Sequence, residues 1–258
     1  MSTYNSYNDN SQVVYDFSNK LTKGQFLSKV FGMMFVCLLI TTVVAAGVGI
    51  GFQTWLTNTM VGNEYDTNVL TTLLGTLIVS AIALLIMSFV LPITFIRGRH
   101  NIIIPLMIYV VLMGIMLSAF VFLMDWVILV EAFGITALIF GVMGFLGYVS
   151  KGRLAGIGMI LMGLLIGAGL LSLMNWIMIL IGGVKEGNVM LSWVVSLLIF
   201  AFLMFVTLYD VNRIRRIAET GAQQDNNLIN YCAFILYSDF IAILIRVIYF
   251  LSIVSRRR

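Results

Sequence analysis

The sequence predicts an all-α integral membrane protein that crosses the bilayer seven times. Of its 258 residues, 61% are hydrophobic and only 10% are charged, and the mean hydropathy is +1.06. Soluble globular domains do not have this composition. Seven apolar runs are long enough to cross about 30 Å of hydrocarbon, which takes roughly 20 helical residues. Because lipid offers no hydrogen-bond partners, each run must satisfy its own backbone polar groups, and a helix does so.

The predicted spans divide the chain into a tail and a membrane domain. They are residues 30–52, 70–96, 102–124, 127–149, 154–181, 190–209 and 229–254. Short connections after the first pair make sequential helices antiparallel neighbours in a compact bundle. Residues 1–24 form a polar tail without the order of a signal peptide, so we expect it to be retained in the cytosol. Residues 25–258 form the seven-helix membrane domain.

Glycines predict where helices pack closely. Gly47 and Gly51 in the first run have the four-residue spacing that lets two helix backbones approach each other. Gly141, Gly144 and Gly147 lie on one face of the fourth run. We expect these positions to serve packing.

Basic residues predict the orientation. With the N-terminus in the cytosol, ten Lys and Arg residues lie on the inner side and four on the outer side. Such an excess predicts a cytosolic N-terminus, although three of the outer four are Arg256, Arg257 and Arg258. The net charge of +4 comes from short clusters between apolar runs, so it does not indicate nucleic-acid binding. The Asn-rich tail and the missing targeting signal favour a bacterial plasma membrane.

Two aspartates in or beside the last two apolar runs form the candidate functional site. Asp210 lies where the sixth run gives way to a basic patch, and Asp239 lies ten residues into the seventh run. Carboxylates at membrane depth are costly and mark functional sites by default. The two meet only if the sixth helix continues past Asp210 or the seventh begins near Asn226. They would then share one proton, because like charges repel, and act as a pH sensor and gate.

The alternative is that the two aspartates are separate structural groups. Asp210 would then form an ion pair with Arg213, one helical turn further on, and Asp239 would be capped by Ser or Tyr hydroxyls.

Glu131 and Arg246 are further ionisable residues that could support the pair, together with Arg213. Glu131 lies one turn inside the outer end of the fourth run, and Arg246 lies in the outer half of the seventh. An ion pair between them would close the outer entrance; alternatively, each extends separately to its nearer interface. Arg246 also follows Asp239 by seven residues, on the same helix face.

The sequence indicates neither an enzyme nor a cofactor. Cys37 and Cys232 lie inside apolar runs without partners at metal or redox spacing. His100, the only histidine, lies in a loop with no nucleophile at a matching depth. An aspartyl intramembrane protease also uses two membrane aspartates, but its Gly-Leu-Gly-Asp motif is missing here.

At the two aspartates the sequence resembles the Bax inhibitor family, the transmembrane Bax inhibitor motif proteins. The matching segments are Leu208-Tyr209-Asp210, Leu236-Tyr237-Ser238-Asp239-Phe240-Ile241 and residues 131–148 and 161–176. The resemblance implies seven transmembrane helices with the last helix central. It also implies a pH-sensitive calcium leak, in which the two aspartates share a proton and hold a cytosolic-side closure shut. Some family members hold this pair with an arginine of the second helix, but residues 70–96 contain no basic residue. Asn212 replaces the glutamine that often follows the first motif.

Two functions are therefore predicted. In the first, the protein is a calcium or cation leak channel that interacts with the lipid bilayer, calcium ions and protons. In the second, it modulates a membrane-bound AAA protease, or cell-death or stress machinery, through protein–protein contacts. Bacterial relatives are associated with such a protease through their cytosolic tails, so residues 1–24 would then be the active part.

Overall fold

The computed structural model describes residues 22–59, 67–98, 101–150, 163, 167, 189–220 and 225–255. Within these ranges there are six helices and no strand, and all six are long and apolar enough to cross a membrane. They are α1 (Lys23–Thr59), α2 (Thr67–Arg97), α3 (Ile103–Leu123), α4 (Trp126–Val149), α5 (Val189–Thr220) and α6 (Asn226–Ser255). The prediction of an all-α membrane protein is confirmed. Apart from residues 163 and 167, the predicted fifth span lies outside the described residues, as do residues 1–21.

Helix lengths differ from the predicted spans where polar residues continue a helix beyond the hydrocarbon. The predicted bounds of α2, α3 and α4 agree with the structure to within three residues. By contrast, α1 begins at Lys23 and ends at Thr59, seven residues beyond the predicted span at each end. The predicted sixth span corresponds to α5, which continues through the basic patch to Thr220. The predicted end of this span at residue 209 was therefore too early, because apolarity marks only the part of a helix that lies in lipid.

The two ends of the bundle differ in charge. Gln53 near the end of α1 donates a hydrogen bond to the Val121 carbonyl near the end of α3 (3.0 Å), so these helices run parallel. At the other end, Phe95 of α2 stacks on Tyr231 of α6, with ring centroids 4.2 Å apart. We call this second end the basic end. Six of the seven described Lys and Arg residues lie towards it: Lys23, Lys29, Arg97, Arg213, Arg215 and Arg216.

Helix α6 contacts each of the other five described helices. Its Tyr237 side chain is fully buried, and the Tyr237 hydroxyl lies 2.6 Å from the Thr41 hydroxyl of α1. Because Thr41 donates to the Cys37 carbonyl within α1 (2.9 Å), Tyr237 is the donor to Thr41. A buried hydroxyl without a partner would destabilise the fold. This hydrogen bond therefore fixes α6 against α1 two residues before Asp239.

Close helix approaches occur at glycines. A Cβ atom at Gly147 of α4 would lie 2.6 Å from the Leu208 carbonyl oxygen of α5, so only glycine fits there. On α1 the close approach is at Gly49, where a Cβ would lie 2.7 Å from Val121. No described atom lies within 4 Å of a Cβ at Gly47 or Gly51. The predicted packing role is confirmed at Gly147, whereas α1 uses a different face from the predicted one.

We expect Gly147→Ala to lower the free energy of unfolding by about 1–3 kcal/mol, the usual cost of overpacking. The added methyl would meet backbone, which cannot move without separating α4 from α5. Gly141→Ala on the same helix is the control, because no described atom lies within 4 Å of its Cβ. It should be neutral or gain up to about 1 kcal/mol of helix propensity. Equal melting temperatures of the two purified variants in detergent would contradict the expectation.

Candidate functional site

The hairpin of α5 and α6 brings the two aspartates to similar depths. After Asp210, α5 continues for ten residues to Thr220, and α6 begins at Asn226, thirteen residues before Asp239. At 1.5 Å per residue, the aspartates lie about 15 Å and about 20 Å from the ends of their helices in this hairpin. The helix that carries Asp210 thus continues past it, and the helix that carries Asp239 begins at Asn226. These are the two conditions under which the sequence allows the carboxyl groups to come together.

The Asp239 carboxyl group is buried, and no described residue forms an ion pair with it or a hydrogen bond to its Oδ2 atom. Asp239 is only 8% exposed, and its Oδ2 atom has no hydrogen-bond partner among the described residues. Asp210 is half-buried on the neighbouring helix, close enough for the electrostatic repulsion between the two carboxylates to act on Asp239. Two carboxyl groups in such a setting can hold one proton between them.

The structure shows neither of the alternative partners for the aspartates. The Ser238 hydroxyl donates to the Ile235 carbonyl (2.8 Å) and the Tyr237 hydroxyl donates to Thr41, so neither hydroxyl caps Asp239. Asp210 and Arg213 form no ion pair within 4 Å, although the positive charge of Arg213 acts on Asp210 from a greater distance. Arg213 itself is exposed.

Glu131 and Arg246 are not brought together. Glu131 is exposed on α4, and Arg246 is half-buried on α6. They form no ion pair with each other, and neither pairs with another charged residue within the described ranges. Arg246 lies about 10 Å beyond Asp239 along α6, away from the basic end. Of the two alternatives from the sequence, the structure therefore shows separate side chains and not an ion pair.

Asn212 positions the helix that carries Asp210. Its buried side-chain amide donates to the carbonyl oxygens of Gly147 (3.1 Å) and Ser150 (2.7 Å) at the end of α4. The last carbonyl groups of a helix have no partners within that helix. Asn212 therefore caps α4 and fixes α5 against it two residues beyond Asp210. This role could not be predicted from the sequence, because an asparagine in a polar patch is ordinarily a solvated residue.

A second group of side chains joins three helix ends at the basic end. Glu219 of α5 accepts hydrogen bonds from Lys23 of α1 (2.5 Å) and from Arg215 (2.9 Å). Arg215 also donates to the Tyr148 carbonyl of α4, and both cations lie 5.3–5.4 Å from the centre of the Tyr148 ring. Exposed ion pairs contribute little stability. Their geometry nevertheless shows that α1 starts where α4 and α5 end.

The comparison with protein families agrees with the resemblance that the sequence carries. The sequence profile described as "Inhibitor of apoptosis-promoting Bax1" matches residues 23–256. The chain belongs to the Bax inhibitor family. The match includes all six described helices and both aspartates, so the resemblance carried by the two aspartate motifs is confirmed. A search of curated proteins found no match to the chain. This Bax inhibitor family member is a multi-pass membrane protein.

We expect Asn212→Leu to lower the free energy of unfolding by about 1–3 kcal/mol, because the buried Gly147 carbonyl and the part-buried Ser150 carbonyl lose a donor. Asn226→Leu, in the exposed first turn of α6, is the control and should change stability by less than about 0.5 kcal/mol. Thermal unfolding in detergent measures both. If Asn212→Leu were as stable as the control, Asn212 would not fix α5 against α4.

Proposed function

We propose that the protein is a pH-sensitive calcium (cation) leak channel without enzymatic activity, in which a proton shared by Asp210 and Asp239 sets the open and closed states. The observation that carries the proposal is the buried Asp239 Oδ2 atom, which lacks a hydrogen-bond partner among the described residues. A buried carboxylate is costly unless it is neutralised or paired. A shared proton would neutralise one carboxyl group and supply the missing hydrogen bond. Calcium is the transported ion and not a cofactor.

The direction of the pH response follows from the charges. With one shared proton, the pair holds α5 and α6 together beside the basic end, which is the closed state. As the pH rises the proton is lost, and two negative charges repel each other across the helix contact. Their separation opens the closure and leaves carboxylates that attract cations. Calcium flux therefore rises with pH.

Some family members hold the aspartate pair with an arginine of the second helix, and this chain lacks that arginine. The shared proton therefore has a larger part in stabilising the pair here. Helix α2 contains no Lys or Arg before Arg97, which is exposed at its last position. The positive charge that acts on Asp210 is that of Arg213, which contacts neither carboxylate at ion-pair distance. Without a cation between the carboxylates, a proton is the simplest group that can stabilise them at close range.

The proposed channel has seven spans with the last helix central and the N-terminus in the cytosol of a bacterial plasma membrane. Helices α4 and α5 both end at the basic end, where Tyr148 and Glu219 contact Lys23 or Arg215. Two consecutive described helices that run in the same direction support one further crossing between them. The contacts of α6 with every other described helix support its central place. Basic residues mark the cytosolic side.

We expect tags at the N-terminus and the C-terminus to lie on opposite sides of the membrane, because seven is an odd number of spans. Sealed vesicles of one orientation are treated with a protease that removes accessible tags. Only one tag should be lost, and permeabilising the vesicles with detergent should expose the other as the control. Loss of both tags, or of neither, from sealed vesicles would contradict seven spans.

Calcium flux into proteoliposomes, measured with an entrapped dye across a pH series, tests the leak. Flux through the intact chain should rise with pH. Asp210→Asn and Asp239→Asn should give low flux that does not change with pH. In each variant the amide donates a hydrogen bond to the remaining carboxylate, and no second negative charge can form.

Asp225→Asn is the matched control for this experiment. Asp225 is exposed immediately before α6, and asparagine is an equally good residue before a helix. This variant should keep the pH dependence of the intact chain. If no flux occurs at any pH, or if both site variants respond to pH like the intact chain, the leak proposal fails. The hypothesis of a protein–protein modulator would then be the next to test.

A further inference from the structure

A cavity of about 470 Å³ lies between α1, α3, α4 and α6, and the proposed leak mechanism does not use it. Its floor is formed by side chains of α6 that are buried, whereas several side chains at its rim are exposed. The floor residues are Ile241, Leu244 and Ile248, and the exposed rim residues include Phe35, Leu39 and Val130. The cavity is therefore open on one side.

The cavity offers few partners for water or ions. Among its described lining residues, the polar side-chain groups are the hydroxyls of Thr41 and Thr42 and the indole N–H of Trp126 at the interface. The Thr41 hydroxyl is bonded to the Cys37 carbonyl and to Tyr237, and the Thr42 hydroxyl donates to the Leu38 carbonyl (2.8 Å). Cavities lined by apolar side chains remain dry and bind apolar molecules. An apolar occupant therefore fits this site, and a hydrated ion does not.

The open side faces hydrocarbon. Phe35 and Val130 are 59% and 69% exposed, and both lie within membrane-spanning helices. Along α1 the cavity extends from Phe35 to Ala46, which is about 16 Å at 1.5 Å per residue. This length matches one leaflet, half of the roughly 30 Å hydrocarbon core.

The cavity lies in the leaflet opposite the basic end. Its floor residues on α6 lie roughly 22 to 33 Å from the start of that helix. Trp126, the first residue of α4, lines the cavity, and tryptophan at a helix end is typical of a membrane interface. The site therefore runs from one interface towards the bilayer centre.

We propose that this cavity binds one acyl chain of a phospholipid from the leaflet opposite the basic end. The chain would enter between the exposed rim side chains of α1 and α4. It would lie along α1 and contact the floor formed by α6. It would reach Ile241, two residues beyond Asp239, so the same helix would carry the aspartate and the lipid contact.

The test uses the full chain in vesicles of phosphatidylcholine that carries a diazirine at the end of one acyl chain. After photolysis, mass spectrometry identifies the residues that carry lipid adducts. Because the labelled end of the chain would lie near the bilayer centre, adducts are expected on the buried floor residue Ile241, which lipid outside the cavity cannot reach. They are also expected on exposed residues such as Ile86 of α2, which report the surrounding lipid. Adducts on the exposed residues alone would overturn the proposal.

Ala46→Phe gives the decisive comparison, because its ring would occupy part of the cavity and exclude an acyl chain. Floor adducts should be lost, while adducts on α2 remain because that helix is still in the bilayer; the melting temperature of the purified variant in detergent shows that it is folded. Val43→Phe is the control: Val43 is 70% exposed on the same helix and does not line the cavity, so floor adducts should persist. Ala45→Leu is a smaller second variant for use if Ala46→Phe does not fold. Floor adducts that persist in a folded cavity variant would overturn the proposal.

Discussion

The burial of one carboxyl group constrains the rest of this structure. Asp239 lies on the helix that contacts all other described helices, with an oxygen that no described group hydrogen-bonds. Such a group lowers stability unless its surroundings neutralise it. The surroundings of Asp239 supply a second carboxyl group, that of Asp210. Neither the arginine that some family members use nor a neighbouring hydroxyl is in place among the described residues, and the proposed shared proton would take over their role.

The position of Asp210 depends in turn on the polar last part of α5, residues 211–220, which the apolar pattern does not predict to be helical. Beyond the aspartate this helix continues through a polar segment whose side chains bind the end of α4 and the start of α1. Gly147 lets the two backbones touch beside Leu208. These contacts of α5 with α4 and α1 therefore set the depth and rotation of Asp210. The residues that hold the fold together are thus the ones that position the aspartate of the proposed leak.

Much of this protein could be predicted from its sequence because the bilayer simplifies the problem. A run of apolar residues has one stable conformation in lipid, so α2, α3 and α4 were predicted to within three residues. Asp210 and Asp239 stood out because carboxylates are rare in such runs. The ends of α1 and α5 were missed for the complementary reason: outside lipid, polar helical residues and polar loop residues have the same composition. The ion pair suggested for Glu131 and Arg246 was not formed, because matching depth does not place two side chains on facing sides of their helices.

The sequence by itself determined the membrane location, the helical fold, the family and the two aspartates, since each of these depends on composition or on a local motif. Only the tertiary structure decided which side chains meet. It placed Asp210 and Asp239 at similar depths, assigned Asn212 to the end of α4, chose Gly49 over Gly47 for the approach of α1 to α3, and left an apolar cavity beside α6. Helix rotation and register decide these contacts, and they result from packing between segments that are distant in the chain.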